Sequence, residues 1–535
     1  GTSSYQNTED NFEAILTYNK HINENFSVSA LAGGNIRKNE NYNWGVSTNG
    51  GLSVPALYNV KASIDRPGAS NSKSFKQVNS LFAQASVGFK EMVYLDASIR
   101  SDWSSSLPVD NNNYVYPAIS GTFIFSELIN NQTTFSFGKL RLNYAQVGSD
   151  IGAYQLAPTF AVGVPYGSNA TMAVPNSLPN PNLRPALTNS YEAGVEVGFL
   201  NNRIRADFAV YQYEKKDEII QVAVPSSSGV STATVNAGLT KSTGWELSLG
   251  GTPVRSGDWN WDVNFNIATF TNKVEELYPG LTTINLGNGW NGTGTGGGWG
   301  NPSAVARVGE EWGTVVGRAF IRDANGNLVV GSNGTLQWED NSVLGNILPD
   351  FTGGIFNRVS YKNFDLGLTL DWQSGGLIHS ITNMFTNYSG LSQESVGNND
   401  KGNPVRDAVA DGGGIKFDAV KEDGTPNDIY LEADSYWKSL FAQHERWMYD
   451  ASFVKLREVR IGYTIPQSAL ENVFIKTASV AIIGNNLWLI HSNIPGIDPS
   501  EVSGQTVNAR TNGAWVEGGQ LPGTRSIGFD IRLGF

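Results

Sequence analysis

The sequence predicts an all-β chain folded as a transmembrane antiparallel β-barrel, and three observations predict it. Segments of about ten residues alternate apolar and polar side chains from end to end, the period of a strand that faces two different environments. The connections between them alternate short and long, as in an outer-membrane barrel with short periplasmic turns and long extracellular loops. The composition combines 60 Gly with 25 Phe, 20 Tyr and 14 Trp, and only 16% of the 535 residues are charged. About a quarter is usual in soluble chains. No run of about 18 apolar residues occurs, so a helical span is excluded.

The strands read in order. In "FEAILTYNK" Phe12, Ala14, Leu16 and Tyr18 share a face, and after "HINEN" the chain returns through "FSVSALAGG". "LFAQASVGFKEMVYLDASIRSDW" sets Leu81, Ala83, Ala85, Val87 and Phe89, then Val93, Leu95, Ala97 and Ile99, on one face. Asp96, Arg100 and Asp102 lie on the other face, which must be wet, because unpaired charge against a dry core is costly. "RIRADFAVYQY" opposes Ile204, Ala206, Phe208 and Val210 to Arg205 and Asp207, and "FDLGLTLDW" opposes Leu366, Leu368, Leu370 and Trp372 to Asp365 and Asp371. The count is about fifteen strands of 9 to 11 residues, the length that crosses a bilayer at a tilt. They start near Glu9, Phe26, Gln77, Met92, Tyr114, Lys139, Leu187, Arg203, Asn236, Asp258, Asp350, Phe364, Ala451, Lys476 and Arg525. Long loops are expected from Arg37 to Lys76, Ser149 to Thr188, Val274 to Pro349 and Gly375 to Tyr449. Single-chain bacterial barrels have an even number of strands, so an odd count predicts that further strands belong to the same barrel.

The remaining composition excludes several function classes. A formal charge of −12 without any cluster of Lys and Arg argues against nucleic-acid binding. Cys is absent, and the four His, at 21, 379, 444 and 491, have no ligand spacing, so they read as loop or surface residues and no metal or cofactor is predicted. No nucleophile elbow, H-E-x-x-H or P-loop is present, so no catalytic residue is assigned and the chain is not expected to be an enzyme. "DANGNLVVG" begins like a calcium loop, but its Gly comes early and no Glu closes it; a hairpin turn on Asn325 and Gly326 is the better reading. In "FVKLREVRIGY" the alternation slips near Glu458, which predicts a bulge or the exit from the membrane. "YLEADSYWKSLFAQHERWMYDASF" reads as partly helical within an outside loop.

Six blocks in order carry a family resemblance. They are "GKLRLNYAQVGSD", "NPNLRPALTNSYEAGVEVGFLNNRIRADFAVYQYEKKDEI", "STGWELSLGGTPVRSGDWNWDVNFNIATFTNKVEEL", "RVGEEWGTVVGRAF", "LGNILPDFTGGIFNRVSYKNFDLGLTLDW" and "WMYDASFVKLREVRIGYTIPQSALENVFIKTASVAIIGNNLWL". Together they resemble the SusC/RagA type of TonB-dependent outer-membrane transporter. The resemblance implies a barrel of about 22 strands around an N-terminal plug. It further implies TonB-driven import of an oligosaccharide or peptide, a SusD-like surface lipoprotein as partner, and a Bacteroidetes-like, Gram-negative outer membrane. It also implies a dimer of transporter–lipoprotein pairs. Residues 1–535 would then be the C-terminal portion of the barrel, with the plug, the TonB-contacting part and the first strands absent. A secreted soluble β-rich enzyme acting on glycans, or an adhesin, is the alternative.

Within that reading Asp96, Arg100, Asp102, Arg205, Asp207, Asp371, Arg460, Asp530 and Arg532 line the lumen. Charges of both signs are mixed among them and give no clear field. The chain ends on "IGFDIRLGF", which turns Ile527, Phe529, Ile531, Leu533 and Phe535 toward lipid and resembles a C-terminal signal for barrel assembly. Trp290 and Trp299, in the Gly-rich "NLGNGWNGTGTGGGWGNPS", are the candidate ligand contacts, since an aromatic face can hold a sugar or a peptide side chain. Packing of both rings within the loop is the competing reading.

Overall fold

The computed structural model describes residues 1–129, 133–163, 165–288, 302–502, 515–519 and 521–535. Fifteen strands follow one another in a single meandering sheet, each paired antiparallel with the next. They are β1 (Thr2–His21), β2 (Phe26–Leu52), β3 (Ser63–Phe89), β4 (Val93–Ser104) and β5 (Asn113–Phe123). Next come β6 (Phe135–Ser149), β7 (Ala186–Phe199), β8 (Ile204–Ala223), β9 (Thr232–Ser256) and β10 (Trp259–Glu276). The last are β11 (Phe351–Tyr361), β12 (Phe364–Ser374), β13 (Phe453–Thr464), β14 (Thr477–Ser492) and β15 (Ser526–Gly534). Every segment read from the alternation is one of these strands. Among the described residues β1 pairs only with β2, and β15 only with β14.

The faces are inverted relative to a soluble sheet. On β4 Val93, Leu95, Ala97 and Ile99 are exposed, whereas Tyr94, Asp96 and Arg100 are half-buried and Asp102 is buried. On β15 Ile527, Phe529, Ile531, Leu533 and Phe535 are all exposed. Such a continuous exposed apolar surface is far larger than a water-facing wall tolerates and suits lipid. Aromatic pairs bound it. At the short-turn end lie Phe26–Phe89, Phe135–Phe199, Trp259–Tyr361 and Phe364–Tyr463, with ring centroids 4.4 to 5.2 Å apart. Toward the other end lie Tyr144–Tyr191 at 5.2 Å and Trp245–Phe351 at 6.3 Å. Phe351 and Tyr361 are ten steps apart on β11; at about 3.3 Å per step and a tilt near 40° they stand about 25 Å apart in height, the thickness of a barrel's apolar band.

The two sheet ends differ as expected. Turns such as Lys90–Glu91, with both φ near +55°, and Gly257–Asp258 close one end tightly. At the other end the expected loop from Arg37 to Lys76 is corrected: it is mostly ladder, since β2 and β3 are each 27 residues long and pair from Phe26↔Phe89 to Leu52↔Ser63. Polar residues on both faces, "KNENYNW" among them, hid this stretch from a reading that requires apolar alternation. At about 3.3 Å per residue such strands reach about 90 Å, so they project well beyond the bilayer.

The three long connections after β10, β12 and β14 form one folded body. Its core joins Val274, Leu286, Ala304, Ala306 and Val315 to Ile381, Met384, Trp437 and Trp447, and to Trp515 and Val516. A four-stranded sheet (Thr283–Asn288, Ser303–Arg307, Thr314–Phe320, Trp338–Asn346) and two helices, α1 (Ile381–Tyr388) and α2 (Ala433–Leu440), build it. Helix α2 is the expected helical segment. The "DANGN" segment is the expected turn: Asp323 accepts from the amides of Asn325 and Asn327 at 2.9 and 2.8 Å, and Gly326 takes φ +87°. The same geometry recurs at Asn399–Asn403 and Lys421–Thr425, where Gly402 and Gly424 supply the left-handed residue.

Candidate translocation surface and outer loop body

All nine predicted lumen residues fall on the polar face of the sheet, as the register requires. The sheet brings seven of them into ion pairs. Arg100 Nε is 2.8 Å from Asp102, whose other oxygen accepts from the Tyr116 hydroxyl at 2.5 Å. Asp207 meets Arg141 at 2.9 Å, and the same guanidinium reaches Glu192 at 3.0 Å. Gly194 stands opposite Arg141, and a Cβ there would come within 2.5 Å of the guanidinium, so the glycine lets the arginine lie flat across β7. Arg460 pairs with Asp365 and lies 3.8 Å from Asp530, which pairs with Arg532 at 3.0 Å. Asp371 meets Arg457 at 2.7 Å. Asp96 accepts only a long hydrogen bond from Ser120, 3.4 Å, and Arg205 forms no ion pair among the described residues.

Other charges of this surface escaped the sequence reading. Lys139–Glu196 and the Arg141 fork were legible in "GKLRLNY", where Lys139 and Arg141 alternate with Leu140 and Leu142. Arg457 was not. The expected slip near Glu458 is a β-bulge on β13: Thr369 pairs with Glu458 but Leu370 with Leu456, leaving Arg457 extra. The bulge puts Lys455 and Arg457 side by side. Lys455, with its side chain 3% exposed, donates to Asp498 at 2.6 Å, Glu501 at 2.8 Å and Ser500 at 3.2 Å. Arg457 also reaches Glu501, at 2.7 Å. Residues 498–501 begin the last long connection, so this cluster ties that loop to the wall. Burial alone would raise the Asp498 carboxyl, but Lys455 and Ser500 outweigh it and hold it below the usual carboxylate range. Bonding to Lys455 does the same for Glu501.

Two of the four histidines, expected in loops or at the surface, lie in the loop body but are buried there. His379 is 2% exposed and His444 5%. Burial pushes His379 down to about 3, and the neighbouring His444 adds to the effect. His444 Nδ1 accepts from the Arg318 amide at 3.0 Å. Glu517, 1% exposed, accepts from Ser380 Oγ, from the Thr382 amide and hydroxyl, and from the Gly519 amide, all within 3.0 Å. This carboxylate fixes the N-terminus of α1 to the last connection. No group of three or more metal-binding side chains occurs among the described residues. Trp290 and Trp299 lie outside the described residues.

The geometry is that of a wall with lipid on one side and a charge-neutralised aqueous surface on the other. A family model described as "TonB dependent receptor-like, beta-barrel" matches residues 1–337. The chain belongs to that family. TonB-dependent receptor P26 of Formosa agariphila is 27% identical over 568 residues, covering 98% of this chain and 53% of that protein. TonB-dependent receptor SusC of Bacteroides thetaiotaomicron is 24% identical over 439 residues, covering 77% of this chain and 40% of SusC. Among solved structures, the RagAB peptide transporter superposes with a TM-score of 0.74 at 20% identity, over 100% of this chain and 56% of the matched one. The RagAB importer in its closed-closed state gives 0.76 at 21% identity, again over 100% and 56%. The chain spans about half the length of the relatives it matches, and those relatives are receptors and transporters, not enzymes.

Proposed function

We propose that this chain is part of the barrel wall of an outer-membrane importer that takes up a bulky nutrient, an oligosaccharide or a peptide, with energy supplied through TonB. In this reading residues 1–535 are the C-terminal portion of a barrel of about 22 strands, whose remaining strands and plug belong to the same protein. A SusD-like lipoprotein seats the nutrient over the long loops, and the polar face of the sheet is the lumen wall. The observation that carries the reading is the opposition of the two faces, exposed apolar side chains on one and ion pairs on the other. Paired charges leave a polar but nearly neutral surface, which suits a large uncharged or zwitterionic solute better than an ion. RagAB is a peptide transporter, which supports peptide as a substrate class beside oligosaccharide.

Two measurements test it. The full-length protein should require detergent or lipid to remain monodisperse, and a monodisperse sample in plain buffer would sink the membrane reading. Cells lacking the protein should lose growth on one oligosaccharide or peptide source, and cells lacking TonB should lose it equally. In the same assay Trp290→Ala with Trp299→Ala should slow uptake at unchanged surface abundance; normal uptake would remove the two rings from the ligand path.

A further inference from the structure

We propose that a cavity between the polar face of the wall and the outer loop body seats one bulky apolar residue of a peptide; the proposal rests on the importer reading above and narrows its substrate class. The cavity, of about 360 Å³, forms where three strands lose their regularity at the long-loop end of the sheet. Between Lys216↔Leu239 and Glu218↔Ala237 the ladder of β8 and β9 is interrupted at Asp217 and Gly238, both with positive φ, +55° and +88°. One strand further on, β10 carries Glu275 as an extra residue between Thr240↔Val274 and Leu239↔Glu276. Such interruptions bend a wall, and the loop body closes over the bend. The register sets the face. Asn272 pairs with Ser242 and Ser242 with Tyr213, in the parity of Asp207, so Asn272, Phe270 and Thr240 stand on the side of the ion pairs. The Trp312 amide donates to the Asn272 carbonyl at 2.6 Å, which brings that ring beside them. Leu286 and Ile347 of the loop body supply the opposite side.

The occupant follows from what lines this space. Asn272 presents a carboxamide whose Oδ1 is buried without a partner, and no hydrogen bond engages its Nδ2 among the described residues. A free donor beside a free acceptor is the complement of a peptide group, which offers one N–H and one C=O. Around it the lining is apolar and bulky, through Phe270, Trp312, Ile347 and Leu286. Phe270 is 39% exposed although it stands on the polar face, which leaves its ring open to a ligand. An oligosaccharide would set hydroxyls against these side chains, most of them without a partner. An apolar side chain fills the same space without that penalty and leaves its backbone to Asn272. The volume lies at the small end of ligand pockets, about 300 to 1,000 Å³, so it takes one or two residues and not a whole chain. Lys215 and Glu218, loosely paired at 3.7 Å and partly exposed, are the charges that line it. Being opposite, they favour no particular net charge on the peptide.

The test uses the full-length protein in detergent and titration calorimetry with acetyl-Ala-Phe-Ala-amide, the same peptide N-methylated at Phe, acetyl-Ala-Ser-Ala-amide and maltohexaose. The Phe peptide should bind about ten-fold more tightly than the Ser peptide, and maltohexaose should not compete. N-methylation should weaken binding about five-fold in wild type. In Asn272→Leu, which loses the carboxamide at similar volume, methylation should make no difference. That variant removes no side-chain hydrogen bond of the fold, so its melting temperature should stay that of wild type. Thr271→Leu, on the other face of the same strand, should keep wild-type affinity for every probe. No binding of the Phe peptide, equal affinity for the Ser peptide, or tighter binding of maltohexaose would each overturn the proposal, as would an undiminished methylation effect in Asn272→Leu. If Asn272→Leu does not assemble, Ile220→Trp, which fills the cavity from β8, decides: full affinity for the Phe peptide overturns the site. Peptide binding by a protein whose loss leaves growth on peptide intact would keep the cavity and refute the importer reading.

Discussion

His379 shows how a single side chain ties the stability of the outer body to pH. Its folded value near 3 lies below the ordinary 6.5, so the unfolded chain binds the proton more readily. The contribution is complete above pH 6.5 and is lost as the pH falls toward 3, at up to about 1.4 kcal/mol per unit. His379→Gln should flatten that slope in a protease-resistance profile of the loop body between pH 7 and 4. Asp498 and Glu501 act lower down: their values sit below the ordinary 3.8 and 4.5, so their support is present above those values and fades as the pH falls through the depressed ones. Lys455→Met leaves Glu501 with Arg457 and Asp498 with Ser500 alone, and should weaken the anchoring of residues 493–502 by about 2 to 3 kcal/mol, near the lower end for breaking a buried pair because the carboxylates still reach water. Faster cleavage within that segment, with the sheet intact, is the expected readout. At this scale the sequence was legible wherever an ion pair joins neighbouring strands. Arg100 and Asp102 share a strand and a parity, so the alternation alone sets them on one face; Lys455 and Asp498 are joined only by a loop that folds back, which no local pattern announces.

At the scale of the strand, one face bears lipid and the other water, and substitutions should separate the two. Leu368→Arg, midway along β12, should cost about 2 to 4 kcal/mol of barrel stability, while Asp96→Asn on the polar face should assemble normally. Heat-modifiable mobility on gels reports both, and equal effects would contradict the faces. All fifteen strands were legible because a buried-versus-lipid choice forces strict alternation. Their lengths were not: beyond the membrane both faces of β2 and β3 meet water, so nothing in "NENYNW" distinguishes ladder from loop. The bulge at Arg457 was legible only as a break in parity, since the register that resolves it belongs to β12 and β14.

Across the whole molecule the loop body is one cooperative unit, because its core draws on three connections at once. Trp515→Ala, at a site 2% exposed, should remove about 3 to 5 kcal/mol from that core. The expected signature is simultaneous exposure of all three connections to protease, with the fifteen strands retained; cleavage confined to residues near 515 would show that the connections fold separately. This body is the part least legible in the sequence. Each connection taken alone reads as a polar loop with scattered aromatics, and its apolar residues become a core only when the other two arrive.

That shared core also sets an order of events during biogenesis. Val274 and Val516 belong to one cluster but are separated by most of the chain's second half. Contacts so distant in sequence form slowly, because the intervening segment must first be restrained. Here the restraint is the wall itself: the strands from β11 to β14 must be inserted, and their connections carried across the bilayer, before Trp515 and Val516 can reach their places. The body outside is thus completed last, after the strands beneath it are in place.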